Sequence, residues 1–163
     1  AETLLFIQKH DFADFDALVD YADAASARTK ELTAKIKAAE SRMAEIAVLK
    51  THIINYAKTR DIYTGYRKSG YSRKYYDAHE SDIIIHKAAK KAFDDLALKK
   101  LPTVKSLQAE YSDLLVQKKL DYAALAKARE EARQLQIYKA NAEMFLRTDT
   151  EEQRQTREHQ QEK

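Results

Sequence analysis

Cysteine is absent, which excludes disulfides, thiolate metal sites and thiol catalysis. Glycine occurs twice and proline once in 163 residues, so the chain has few residues that break helices. No apolar run approaches the ~20 residues that span a bilayer, and LLFI and IIIH are far too short, so membrane insertion is not expected. Large apolar side chains are also scarce. Leu, Ile, Val, Met and Phe together number 36, against 26 Ala, while 34% of residues are charged. Such a composition suits long helices with narrow apolar seams better than a compact ball. The chain opens at Ala1 without methionine or a signal-like segment, and the expectation is a cytoplasmic fragment of a larger protein.

What is present is helical periodicity. The short segment TLLFIQK, Thr3 to Lys9, predicts a brief helix that docks on a neighbour, and Asp11 or Asp14 is a candidate N-cap for the first long helix. A heptad seam from Phe15 reads Phe15, Leu18, Ala22, Ala25, Thr29, Leu32, Ile36, Ala39, Met43, Ile46, Lys50, Ile53, Ala57 and Arg60, with eleven of fourteen apolar. Gly70 suits the left-handed position after a helix end, so this helix is expected to run from about 14 to about 68, roughly 80 Å. Gly65 within it is a place for fraying or bending. Ser72 can cap a short helix, and Ser81 or Asp82 the next, with Ile83 to Ile85 read as helical because HKAAKKAF comes directly after them. Pro102 or Thr103 opens a last helix whose seam runs from Leu107 through Tyr111, Leu114, Lys118, Asp121, Leu125, Ala128, Ala132, Leu135, Lys139 and Ala142 to Leu146. It weakens at Asp121 and at the lysines. Residues 148–163 hold no large apolar side chain and are expected to form a frayed or disordered polar tail.

These segments predict an all-α fold: an elongated, coiled-coil-like antiparallel hairpin of two long helices, with a shorter helical insert (about 72–98) at the turn. Residues 1–147 would form one helical domain. The seam could close within the chain or between chains, so self-association is open.

Charge is uneven along the chain. Residues 1–25 carry six acids against Lys9, a balance of −5, whereas residues 50–100 carry twelve Lys or Arg against six acids, a balance of +6. The basic excess concentrates in YAKTRDIYTGYRKSGYSRKYYDAHE, Tyr56 to Glu80, with six of the ten tyrosines and both glycines. Basic side chains contact phosphates, and exposed tyrosine rings stack on unpaired bases. Lys58, Arg60, Tyr63, Tyr66, Arg67, Lys68, Tyr71, Arg73, Lys74 and Tyr75 are therefore the candidate nucleic-acid-binding residues. The competing reading is that the rings close the hairpin end, with hydroxyls left wet. Among five histidines only His79 and His86 share a plausible face, seven residues apart, which is not a helical metal-ligand spacing; they read as surface or interface residues. There is no glycine-rich phosphate loop or nucleophile elbow. No catalytic residue, metal or cofactor is expected.

The segments MAEIAVLKTHIINYAKTRDIYTGYRKSGYSRKYYDAHESDIIIHKAAKKAF, from Met43, and KKLPTVKSLQAEYSDLLVQKKLDYAALAKAREEARQL, from Lys99, closely resemble the C-terminal helical region of relaxases. These are the mobilisation nucleases of conjugative and mobilisable elements of Gram-positive, Firmicutes-type bacteria. The likeness covers roughly Asp16 to Leu146. Relaxases of this type nick DNA with a tyrosine in an N-terminal domain, aided by a divalent metal on a histidine cluster. Neither is found in this sequence, and no tyrosine matches that motif. The resemblance implies a non-catalytic domain that grips single-stranded or hairpin DNA near a transfer origin, or docks accessory, coupling or secretion-channel proteins.

Overall fold

The computed structural model describes residues 2–3 and 15–162, and its fold is all-α. Two long helices, α1 (Phe15–Lys68) and α4 (Val104–Gln161), pack together. Between them in the chain lie α2 (Arg73–Ala78) and α3 (Glu80–Asp95). There is no strand among the described residues. The predicted helix at Thr3 to Lys9 and the Asp11 or Asp14 cap lie outside the described residues, except Thr3, whose hydroxyl accepts from the Asn141 side-chain amide at 3.2 Å. No described helix is long and apolar enough to cross a membrane.

The chain divides into two compact units. Unit 1 comprises residues 1–36 and 120–163. Its core is Leu18, Ala22 and Leu135, flanked by Phe15, Ala25, Tyr138 and Ala142. The heptad seam named all of these but Tyr138, which stands beside the seam position Lys139, because a helix packed against a single partner buries a single stripe. Asp121 is buried on that seam, 3.4 Å from the Lys35 ammonium. Helix α4 continues to Gln161, past Arg147 where fraying is expected. Its last turns are rich in the good helix formers Glu, Gln and Arg. They are braced by Gln153 on Asp149 and Arg154 on Glu158, both at i, i+4.

Unit 2 comprises residues 37–119 and admits a third helix. Ile46 and Leu49 from α1, Ala89 and Phe93 from α3, and Leu107 from α4 form its core, with Ile53, Tyr56 and Leu114 against it. Here the buried stripe departs from the heptad. Leu49 is buried beside the seam position Lys50, and Thr59 is buried while the seam positions Ala57 and Arg60 are exposed. The reason is α3, whose buried face Ile83, His86, Ala89 and Phe93 draws a wider arc of α1 inward. Arg42 holds Glu110 through two bonds of 2.7 and 3.0 Å, and Lys118 meets Glu40 at 3.3 Å, so α1 and α4 run antiparallel. Those bonds keep Glu110 below the usual carboxylate range and raise the Arg42 guanidinium.

Helix ends explain the insert's boundaries. Ile83 to Ile85 are helical as expected, with Ile83 buried and the next two exposed. Neither Ser81 nor Asp82 caps α3. His79 occupies that position without a side-chain bond, because α2 ends only one residue before it and the same residue closes it. Helix α3 stops at Asp95 rather than near Leu98. Ala97 turns left-handed (φ 50°), and the Leu98 amide folds back on the Phe93 carbonyl at 3.3 Å. Thr103, behind Pro102, accepts the Ser106 amide at 3.0 Å and starts α4.

Candidate nucleic-acid interface

The basic, tyrosine-rich stretch lies within unit 2, at the end of α1 and through α2. Helix α1 closes as the sequence predicts. Gly70 (φ 70°) donates to the Arg67 carbonyl at 3.2 Å, and Tyr71 to the Tyr66 carbonyl at 3.1 Å. Tyr71 is itself left-handed (φ 59°), a conformation that costs a non-glycine residue roughly 1–2 kcal/mol. The turn is pinned: the Ser69 hydroxyl donates to the Tyr66 carbonyl at 2.6 Å and accepts the Ser72 amide at 3.2 Å. Ser72 then caps α2 through the Tyr75 amide.

The helix does not fray at Gly65 but continues to Lys68. The glycine seats a ring. A Cβ there would meet the Tyr75 hydroxyl and stand 2.9 Å from its Cζ, and the same hydroxyl donates to the Ile62 carbonyl at 2.8 Å. The bare backbone of Gly65 is thus where α2 docks on α1.

The other rings assemble around Tyr66. Tyr71 meets it edge-on at 5.2 Å, Tyr75 lies nearly parallel at 6.2 Å, and Tyr63 and Tyr76 approach at 6.1 and 5.8 Å. The Lys87 ammonium stands 5.8 Å from the same ring centroid, within cation–π range. Each ring pair contributes about 0.5–1.5 kcal/mol beyond burial, enough to hold a six-residue helix that could not stand alone.

Deeper in the same unit His86 is buried between Tyr56 and Tyr63, with centroids 4.5 and 4.4 Å away and rings within about 20° of parallel. Of the two places expected from sequence, surface or interface, it takes the second, between α3 and α1. The Thr59 hydroxyl donates its single hydrogen to the Asn55 carbonyl at 2.7 Å, so it accepts from His86 Nδ1–H at 2.9 Å. This fixes the neutral Nδ1–H tautomer. Burial, with Lys90 adding to it, holds the His86 pKa below its ordinary value.

Of the ten predicted site residues, Lys58, Arg60, Arg67, Lys68, Tyr71, Arg73 and Lys74 are exposed, whereas Tyr63, Tyr66 and Tyr75 are half-buried. Packing thus occupies most of the rings, and the cations remain at the surface. Arg73 makes only a loose 4.0 Å contact with Asp77. Sequence reasoning missed the parts played by Gly65, His86 and Lys87. The spacing of Ile83, His86, Ala89 and Phe93 was the available signal for His86, since it puts the imidazole on the apolar face of α3. No group of three or more potential metal ligands occurs among the described residues. No family model, curated protein or solved structure matches the chain.

Proposed function

We propose that this chain is a non-catalytic helical domain that binds nucleic acid through the cationic surface spanning the α1–α2 turn. One observation carries the reading: Lys58, Arg60, Arg67, Lys68, Arg73 and Lys74 are all exposed, and the stretch from Lys58 to Ala78 that holds them has only Asp61 and Asp77 as acids. A polyphosphate bound at such exposed cations neutralises them while releasing counterions. Arg67 and Lys68 do serve the helix dipole at the end of α1, but Arg73 and Lys74 stand in the first turn of α2, where cations gain nothing from it. The resemblance to relaxases supplies the setting, with single-stranded or hairpin DNA near a transfer origin as ligand and the nicking chemistry belonging to another domain.

Salt-titrated binding to single-stranded, hairpin and duplex DNA tests this. Affinity should fall steeply with salt. Replacing Arg67, Lys68, Arg73 and Lys74 together by Ala should flatten the log–log salt slope for a single strand by up to roughly 3. Unchanged binding by that variant, with its helical content intact, would sink the reading. The alternative is a docking or dimerisation arm that recruits accessory or coupling proteins. Met144 and Phe145 favour it, being 69% and 72% exposed on unit 1. Salt-insensitive DNA results together with concentration-dependent mass in light scattering would support that reading instead.

A further inference from the structure

Among the tyrosines of the basic stretch, Tyr71 stands apart. Tyr56 and Tyr63 sandwich His86, Tyr75 is bonded to the Ile62 carbonyl, and Tyr66 lies at the centre of the ring cluster. Tyr71 is 57% exposed. Its only ring contact among the described residues is the edge-on meeting with Tyr66, a geometry that occupies at most one of its two faces. Its left-handed backbone is held by its own amide on the Tyr66 carbonyl and by the Ser69–Ser72 bond. Glycine would adopt that conformation freely, so the ring is displayed at a conformational cost that no core burial offsets. Exposed cations flank it on both sides, Arg67 and Lys68 before, Arg73 and Lys74 after.

We infer that Tyr71 is a rigid platform on which one unpaired base stacks, making the cationic turn selective for single-stranded nucleic acid over duplex. This rests on the nucleic-acid reading above and narrows its ligand. The cations hold phosphates of any strand, but both faces of a duplex base are already stacked inside the helix. Only a strand with free base faces can use the ring.

The test compares oligothymidine with a blunt duplex of equal phosphate count, at fixed salt, for the intact chain and three variants. The wild-type chain should prefer the single strand. Tyr71→Ala should lower single-strand affinity by roughly 5- to 100-fold, the range of one base–aromatic stack, bringing it down to that of the duplex. Tyr71→Phe should keep the preference, because the stacking face survives. Tyr71→Gly relieves the left-handed backbone, so it should fold at least as well and still lose the preference. Salt-dependent binding whose single-strand preference is missing, or persists in Tyr71→Ala and Tyr71→Gly, would overturn the inference and leave the cationic reading standing. Salt-insensitive or undetectable binding by the wild-type chain would overturn both.

Discussion

In unit 1 two helices share one seam, and in unit 2 the same two helices admit a third. The two-helix unit is built from Leu18, Ala22 and Leu135, with Ala-lined flanks. It leaves an open groove of about 660 Å3, along which Tyr21 and Leu120 stay exposed. The three-helix unit closes over Ile46, Leu49, Ala89, Phe93 and Leu107, and it extends into a cluster of stacked rings. Closure comes at the cost of burying polar groups, Thr59 and His86, which must then satisfy one another. A pair of amphipathic helices therefore packs along one stripe, and adding a third helix both widens the stripe and imports chemistry.

The sharpest break of that comparison is a charge in each core. Ile46 and Leu135 are both fully buried, but Ile46 belongs to the larger cluster. Ile46→Asp should cost more than about 4 kcal/mol, the range of an uncompensated buried charge, and should lower the melting temperature further than Leu135→Asp. Circular dichroism during thermal melting reads both. Equal shifts would remove the distinction between the units, and unchanged melting in both variants would overturn the packing itself.

The same comparison marks what the sequence revealed. In unit 1 heptad positions became core positions, because local periodicity suffices where one helix meets one partner. The end of α1 and the start of α4 were legible too, since Gly70 and Thr103 act through bonds to residues three or so away, whereas the run of α4 past Arg147 to Gln161 was not. In unit 2 the shift from Lys50 to Leu49 was not legible, because it depends on a helix thirty to forty residues further along. Gly65 misled for the same reason. Its helix propensity is a local quantity, whereas its partner Tyr75 arrives from another helix. Of the candidate site, the basic residues lie exposed, as their charge alone leads one to expect. Which rings would be spent on packing depended on contacts that spacing alone does not encode.

Gly65 offers a second, smaller test, one in which propensity and packing oppose each other. Gly65→Ala should gain about 1 kcal/mol of helix propensity but drive Cβ into the Tyr75 ring. That ring is anchored by its bond to the Ile62 carbonyl, so the clash should outweigh the gain and the variant should melt lower. In a Tyr75→Ala background the obstacle is gone, and Gly65→Ala should then stabilise by about the propensity difference. A double-mutant cycle in urea measures the change of sign. Stabilisation in both backgrounds would mean that α2 docks without needing the bare backbone.

The smallest effect concerns the imported chemistry, and pH isolates it. Burial holds the His86 pKa below its ordinary 6.5, with Lys90 from its own helix adding to the shift. From α1 the imidazole faces the Tyr56 and Tyr63 rings and the Thr59 hydroxyl. Two ring faces would attract an imidazolium, but desolvation wins, as the downward direction shows. The folded chain therefore binds fewer protons at this site than the unfolded chain. Its contribution to stability is complete above about pH 6.5 and declines as pH falls below that value towards the folded pKa. Glu110 has the same sign in a lower window. Arg42 depresses its pKa, so its contribution holds above about pH 4.5 and is lost on further acidification. It should be minor, because both partners are well exposed. Melting temperature against pH should thus begin to fall below neutrality in the wild-type chain. His86→Phe, which keeps a ring between the tyrosines and leaves the Thr59 hydroxyl on the Asn55 carbonyl, should flatten the upper window and leave the lower one in place. If His86→Phe kept the full decline between pH 6.5 and 5, acid sensitivity would have to arise elsewhere, and the third helix would not have brought a titrating group into the core.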